Sequence, residues 1–172
     1  MHPSDAALVE QCLKGQKNAF EAIVLRYQHR IYHMALIRMR DRCDADDLAQ
    51  ETFLQAYRHL RSYDPTRSFR NWLLSICANL GKNRLRRRAR RREVHHRYPE
   101  AGGSSCTEDH SRMDLVAGLH NIPEKQRIAL FLKHVEGLSY DEVAAVLKIG
   151  TSAAKMRVKR GRDQLVQYLS QP

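Results

Sequence analysis

The chain has 172 residues and a formal charge of +11, from 30 Lys and Arg against 19 Asp and Glu. That length holds one large domain or two small ones, and the absence of any apolar run long enough to span a bilayer excludes a membrane-spanning helix. The charge is uneven: residues 1–99 carry 20 basic against 10 acidic side chains, residues 100–172 carry 10 against 9, and between Lys82 and Arg97 nine bases face a lone acid, Glu93. A field of this kind favours a polyanion, and nucleic acid above all.

Helical period runs through almost every segment and strand alternation through none, so the expected class is all-α. Ser4 to Lys14 reads as a short first helix closed near Gly15. Asn18 opens a longer one, with Glu21 three residues on as a capping box, and Phe20, Ile23, Val24, Tyr27, Ile31, Met34 and Ala35 form its buried stripe. The Asp41–Asp44 stretch breaks that helix. A third runs from about Ala45 to Leu60, with Leu48, Thr52, Phe53 and Tyr57 turned inward. Its other side gathers Asp47, Gln50, Glu51 and Leu54 at three- and four-residue spacing. Two carboxylates, an amide and an exposed leucine in a basic domain suit a protein partner, since DNA repels acid. An acidic helix N-terminus stabilised by its own dipole, worth about 0.3–1 kcal/mol per charge, accounts for them equally well.

Arg61 to Ser68, with Asp64-Pro65, makes a loop. A fourth helix starts near Ser68 and runs toward the arginines; Trp72 shares core spacing with Phe69, Leu73 and Ile76 and is read as buried structure. From Glu93 to about His110 the pattern dissolves into Pro99, Gly102-Gly103 and Ser104-Ser105, the composition of a flexible tether. Helix resumes from Met113 to Leu119, and Pro123 opens the next. Ser139-Tyr140-Asp141-Glu142 is a second capping box ahead of Val143, Ala144 and Leu147. Lys148 to Thr151 make a turn, and a helix from about Ser152 to Leu169 follows. Ala154, Val158, Gly161 and Leu165 form its buried stripe, while Ser152, Lys155, Met156, Lys159 and Arg160 project from another face without an acid among them. A basic face on an ordinary helical hairpin is the plain alternative, but capping, turn length and charge asymmetry agree on a helix-turn-helix inserted in a major groove.

Asp46-Asp47-Leu48-Ala49-Gln50-Glu51-Thr52-Phe53-Leu54-Gln55-Ala56-Tyr57 resembles the core-binding helix of bacterial sigma factors, closest to the extracytoplasmic-function (ECF) group. Phe69-x-x-Trp72-Leu73-x-x-Ile76-x-x-Asn79, Ile122-Pro123-Glu124-Lys125-Gln126-Arg127 and Glu136-Gly137-Leu138-Ser139-Tyr140-Asp141-Glu142-Val143-Ala144 continue the pattern in order and spacing. The resemblance spans roughly Phe20 to Leu165, the tether excepted. It implies two helical domains, region 2 over residues 1–94 and region 4 over 112–172, joined by a flexible linker over 95–111. These bridge RNA polymerase core to the promoter −10 and −35 elements. The implied partners are the clamp helices and flap of core polymerase, promoter DNA and an anti-sigma factor.

On this resemblance Asp47, Gln50, Glu51 and Leu54 contact the clamp helices of the largest subunit. Arg61 and the following helix open the −10 element, a step that takes bases out of the stack at a few kcal/mol each. Tyr63, Asn79 and Asn83 are the candidates for stacking and base reading. Lys82, Arg84, Arg86, Arg87, Arg88, Arg90, Arg91 and Arg92 hold phosphates. Ser152, Lys155, Met156, Arg157, Lys159 and Arg160 meet the −35 element. Many relatives carry Gly-Thr-Val-Lys-Ser-Arg where this chain has Ser152-Ala153-Ala154-Lys155-Met156-Arg157, so Met156 reads a thymine methyl or packs on the backbone.

An autonomous helix-turn-helix repressor or activator is the rival reading, opposed by the missing dimerisation heptad and by the Asp47–Glu51 face. An enzyme acting on nucleic acid would need convergent acids or metal ligands. Asp44, Asp46 and Asp47 point apart on a helix, and Cys12, Cys43, Cys77 and Cys106 form no Cys-x-x-Cys pair with each other. No catalytic residue, metal or cofactor is expected. With no secretory leader or membrane span, the expected setting is cytoplasmic with reduced thiols.

Overall fold

The computed structural model describes residues 3–94 and 118–170, among which helices and turns are present and strands are not. The helices are α1 (Asp5–Leu13), α2 (Lys17–Met39), α3 (Arg42–Arg58), α4 (Phe69–Val94), α5 (Glu124–His134), α6 (Tyr140–Leu147) and α7 (Thr151–Leu169). A 3-10 turn at Leu60–Ser62 precedes α4, and residues 118–121 are helical ahead of α5. Glu93 and Val94, expected to begin the tether, end α4 instead; the rest of the expected tether, and all but the end of the helix expected over Met113–Leu119, lie outside the described residues.

Ser4, expected as the first residue of α1, caps it instead by accepting the Ala7 amide. The Asn18–Glu21 capping box does not form. α2 starts one residue earlier, at Lys17, with Gln16 in extended backbone and no side-chain cap, because the turn at Gly15 leaves room for the helix to begin at once. The break after α2 is also shorter than expected. Arg40 takes a left-handed conformation at φ 65°, and Asp41 caps α3 through the Asp44 amide at 2.9 Å. A non-glycine residue there costs about 1–2 kcal/mol.

α2, α3 and α4 pack on one another and α1 lies along α2. Ile23, Ile31, Met34, Leu48, Phe69 and Leu73 are sealed inside. Tyr57 departs from expectation: it is half exposed, and holds Phe20 edge-on at 4.9 Å between centroids. α4 continues unbroken into the arginine run. At Gly81 it meets α2 so closely that an added Cβ would lie 2.3 Å from Arg38 Cδ, so the Arg38 side chain lies directly across the helix there.

The C-terminal helices form their own core of Ile128, Leu132, Leu138, Val143, Ala154 and Val158. Arg127 is buried within it and donates to the carbonyls of Leu119 and Ile122 at 3.3 and 3.2 Å, which ties the segment before α5 to α5 itself. Desolvation pulls its pKa down to about 10. The Ser139–Glu142 capping box forms in full. α6 ends at left-handed Lys148, Gly150 precedes α7, and Thr151 donates to Asp141 at 2.8 Å, so the two helix starts are pinned together. α7 buries Ala154, Val158 and Gly161. A Cβ at Gly161 would sit 3.2 Å from the Gln126 carbonyl oxygen on α5. Gly161→Leu is expected to push α7 off α5 and cost about 1–3 kcal/mol, read as a lower thermal midpoint.

The two groups are not separate beads: α4 packs on α6 and α2 on α5.

Candidate nucleic-acid and protein interfaces

α3 buries Leu48, Thr52 and Phe53 against the core, which turns Asp47, Gln50 and Leu54 outward; Leu54 is 57% exposed. An open groove between α2 and α3, lined by Val24, His29, Tyr32, Asp46 and Gln50, adjoins this face. The contribution of α2 was not anticipated, because nothing in local sequence says which flank of α2 would border Gln50.

Glu51 behaves differently from its three companions. It is half-buried and turned to α4, where one carboxylate oxygen accepts from Nε and Nη2 of Arg84 at 3.0 and 2.7 Å. One turn further along α4, Arg88 pairs with Asp44 near the start of α3. Arg84 and Arg88 are thus engaged with acids of α3, a correction to the reading that the whole run faces phosphate. Lys82, Asn83, Arg86, Arg87 and Arg90 lie on the exposed side of the same helix, and Asn79 is half-buried. The four-residue spacing decides this: positions 84 and 88 face α3, and the others do not.

The loop before α4 is fixed by Asp64, whose carboxylate accepts the Thr66 amide at 3.0 Å and the Thr66 hydroxyl at 2.7 Å. Those bonds hold its pKa below the usual carboxylate range. Arg61 is exposed. Tyr63, expected as a base-stacking ring, is 9% exposed. Its ring packs at 5.1 Å on Phe69 and 5.3 Å on Trp72, and its hydroxyl donates to the Arg67 carbonyl. Its aromatic faces are used by the core, so Tyr63 supports the loop here instead of presenting a platform. Trp72, expected to be buried, packs into the same cluster but is half-buried.

On α7 the predicted outer face is realised. Ser152, Lys155, Met156, Lys159 and Arg160 are exposed, and Arg157 is half-buried on the flank. The ring of Tyr140 lies 4.7 Å from Lys133 Nζ and 5.9 Å from Lys155 Nζ, an aromatic seat at the foot of the basic face. Glu142 closes the other side of α6. Its carboxyl is held below the ordinary range first by the Ser139 amide and then by the Asn71 side chain. A depressed carboxylate stabilises the fold above its unfolded pKa, and loses that contribution as pH falls through its folded value. Glu142→Gln should therefore lower stability at neutral pH, and the gap from the parent chain should close below about pH 4; urea unfolding at the two pH values checks this.

Among the described residues no cluster of His, Cys, Asp and Glu is placed to hold a metal, and no helix is long and apolar enough to cross a membrane. Cys12, Cys43 and Cys77 are free thiols, and burial pushes the Cys77 thiol up to about 11.

A helix-turn-helix with an outward basic helix, packed on a bundle that carries an acid-and-leucine face and an arginine ridge, defines a DNA-binding transcription factor with a second, protein-directed surface. The family model for sigma-70 region 2 matches residues 23–91, and that for sigma-70 region 4 matches residues 112–165. The RNA polymerase sigma-H factor of Pseudomonas aeruginosa is 32% identical over 94% of this chain and 91% of its own length. The ECF RNA polymerase sigma-E factor of Escherichia coli is 30% identical over 94% and 92%. The chain belongs to the ECF group of the sigma-70 family. Its fold superposes on the sigma factor RpoE, solved with the anti-sigma factor NepR from Bartonella quintana, at a TM-score of 0.75 over 87% of this chain and 96% of that one, with 24% identity. CnrH, solved with the cytosolic domain of CnrY, gives 0.71 over 96% of both chains with 29% identity.

Proposed function

We propose that this sigma factor docks on RNA polymerase core through Asp47, Gln50 and Leu54 of α3, with Glu51 behind them. On the same reading the outer side of α4 (Lys82, Asn83, Arg86, Arg87, Arg90), with Arg61 and Asn79, holds the −10 element, and α7 reads the −35 element through Ser152, Lys155, Met156, Lys159 and Arg160, flanked by Arg157. Residues 1–94 and 112–172 are the two functional units and 95–111 the linker. The observation that carries this is the segregation of exposed chemistry within one bundle. α3 presents leucine, amide and carboxylate, while α4 turns its unpaired bases away from that face. Such a division suits one surface for a protein and another for a polyanion. An anti-sigma factor, by analogy with the complexes of RpoE and CnrH, would act by covering the polymerase face.

The test is transcription across a promoter library with purified core polymerase. Defined transcripts that require the chain are expected. A DNA footprint made by the chain alone and indifferent to polymerase would overturn the proposal in favour of an autonomous regulator.

A further inference from the structure

The outer face of α7 carries an oxidisable sulfur among its cations. Met156 is 47% exposed, whereas Met34 and Met39, the other methionines among the described residues, are sealed in the N-terminal core at 0% and 6%. Oxidant reaches an exposed thioether and is kept from a buried one by its neighbours. The thiols among the described residues lie elsewhere: Cys77 is buried, Cys12 half-buried, and Cys43 exposed at the start of α3. Met156 is therefore the sulfur that the described part of the chain presents on its −35 face.

Its neighbours make the oxidation state matter. Lys159 and Arg160 follow Met156 by three and four residues and are exposed on the same face. The one acid of α7, Asp163, pairs with Arg162 at 3.3 Å and not with them. As a thioether, Met156 offers DNA an apolar, polarisable tip that suits a thymine methyl. As a sulfoxide it offers a strong acceptor oxygen, which cannot make that contact. Lys159 and Arg160 are spaced to donate to this oxygen, and each such charge-assisted bond draws a cation away from phosphate.

We propose that Met156 is a reversible oxidation site, whose conversion to the sulfoxide by hydrogen peroxide weakens recognition of the −35 element. The inference rests on the assignment of α7 to that element. In the step, a lone pair on Met156 Sδ attacks one peroxide oxygen, so that an S–O bond forms and the O–O bond breaks. The proton on the transferred oxygen passes to the departing hydroxide, which leaves as water. The sulfur is oxidised and the peroxide reduced. Methionine sulfoxide reductases reverse the change. Asp47, Gln50 and Leu54 lie on α3, in the other helical group, so core docking is left as it was.

The test uses the full chain with core polymerase, on a promoter recovered from the library and on the same promoter with its −35 element scrambled. The chain is exposed to limiting hydrogen peroxide, the oxidant is removed, and a dithiol is added with or without the reductases. Peptide mass mapping should place sulfoxide at Met156 ahead of Met34 and Met39. Oxidation should raise the half-saturating concentration on the intact promoter about tenfold, and shrink the preference over the scrambled one. The reductases should restore both and the dithiol alone should not, which separates the thioether from the thiols. Met156→Leu removes the oxidisable sulfur, so its half-saturation should be the same before and after peroxide, whatever its starting value. Met156→Gln, polar and inert, should behave as the oxidised chain does without any oxidant. Competition for core should be unchanged by oxidation; a loss there means general damage and overturns the proposal. Met156 left unmodified by a dose that oxidises Met34 or Met39 overturns the site. Full sulfoxide at Met156 with undiminished promoter binding overturns the switch, and so does an equal loss in peroxide-treated Met156→Leu. If the unoxidised parent chain does not discriminate against the scrambled element, the promoter assignment fails, and the mass map still decides whether Met156 is the modified residue.

Discussion

Asp47→Arg combined with Leu54→Arg is expected to leave the N-terminal bundle folded and to weaken competition for RNA polymerase core by about a hundredfold or more. Both side chains are exposed on α3, so neither substitution opens a cavity or strands a buried partner. An apolar anchor at the centre of a protein interface contributes about 2 kcal/mol or more when lost. A like charge placed opposite a basic surface costs several kcal/mol besides. Each 1.4 kcal/mol is a factor of ten, so about 3 kcal/mol suffices. The assay is displacement of the parent chain from core, with thermal unfolding as control. Undiminished competition by the folded variant would remove α3 as the docking face. Glu51→Gln should behave otherwise. It releases Arg84 from α4's tie to α3, so its effect divides between core binding and the stability of the bundle. The stability part is small, at about 0–1 kcal/mol for a half-exposed pair.

The arginine run should separate into two functional sets when it is mutated by face. Arg86, Arg87 and Arg90 changed together to alanine keep helix propensity and remove three exposed charges. Binding to a promoter −10 fragment should weaken strongly at physiological salt, and its log–log salt slope should flatten by about 2–3. Arg84 and Arg88 changed to alanine should instead lower the thermal midpoint, since both hold acids of α3, and should leave most of the salt slope in place. Fluorescence anisotropy at several salt concentrations distinguishes them. Equal slopes for the two sets would mean that the ion pairs on α4 open freely in the complex, and that the face of the helix does not select which arginines meet DNA.

Much of the fold was legible because its signals are local. The Ser139 cap, the turn before α7 and the small-residue stripe of Ala154, Val158 and Gly161 each rest on residues within a turn or two of one another. The outer face of α7 followed from the same periodicity. The Asn18–Glu21 box failed although its spacing was right, because a capping motif competes with neighbouring starts and Gln16 begins the helix first. Asp41 was read as part of a break when it is the cap that ends one.

Side-chain partnership was not legible. Tyr63 has the composition of a stacking residue and sits beside a basic helix, yet Phe69 and Trp72 close on its ring. Glu51 looked like one of four equal members of a face until α4 brought Arg84 to it from 33 residues away, and Arg30 meets Glu136 across 106. Periodicity and capping are short-range physics, written in intervals of three and four residues, so the amino-acid order settles which segments are helices and which stripe each one buries. Which helix receives that stripe, which charges are spent on one another and whether the two halves touch depend on long-range packing. Those outcomes belong to the folded chain alone.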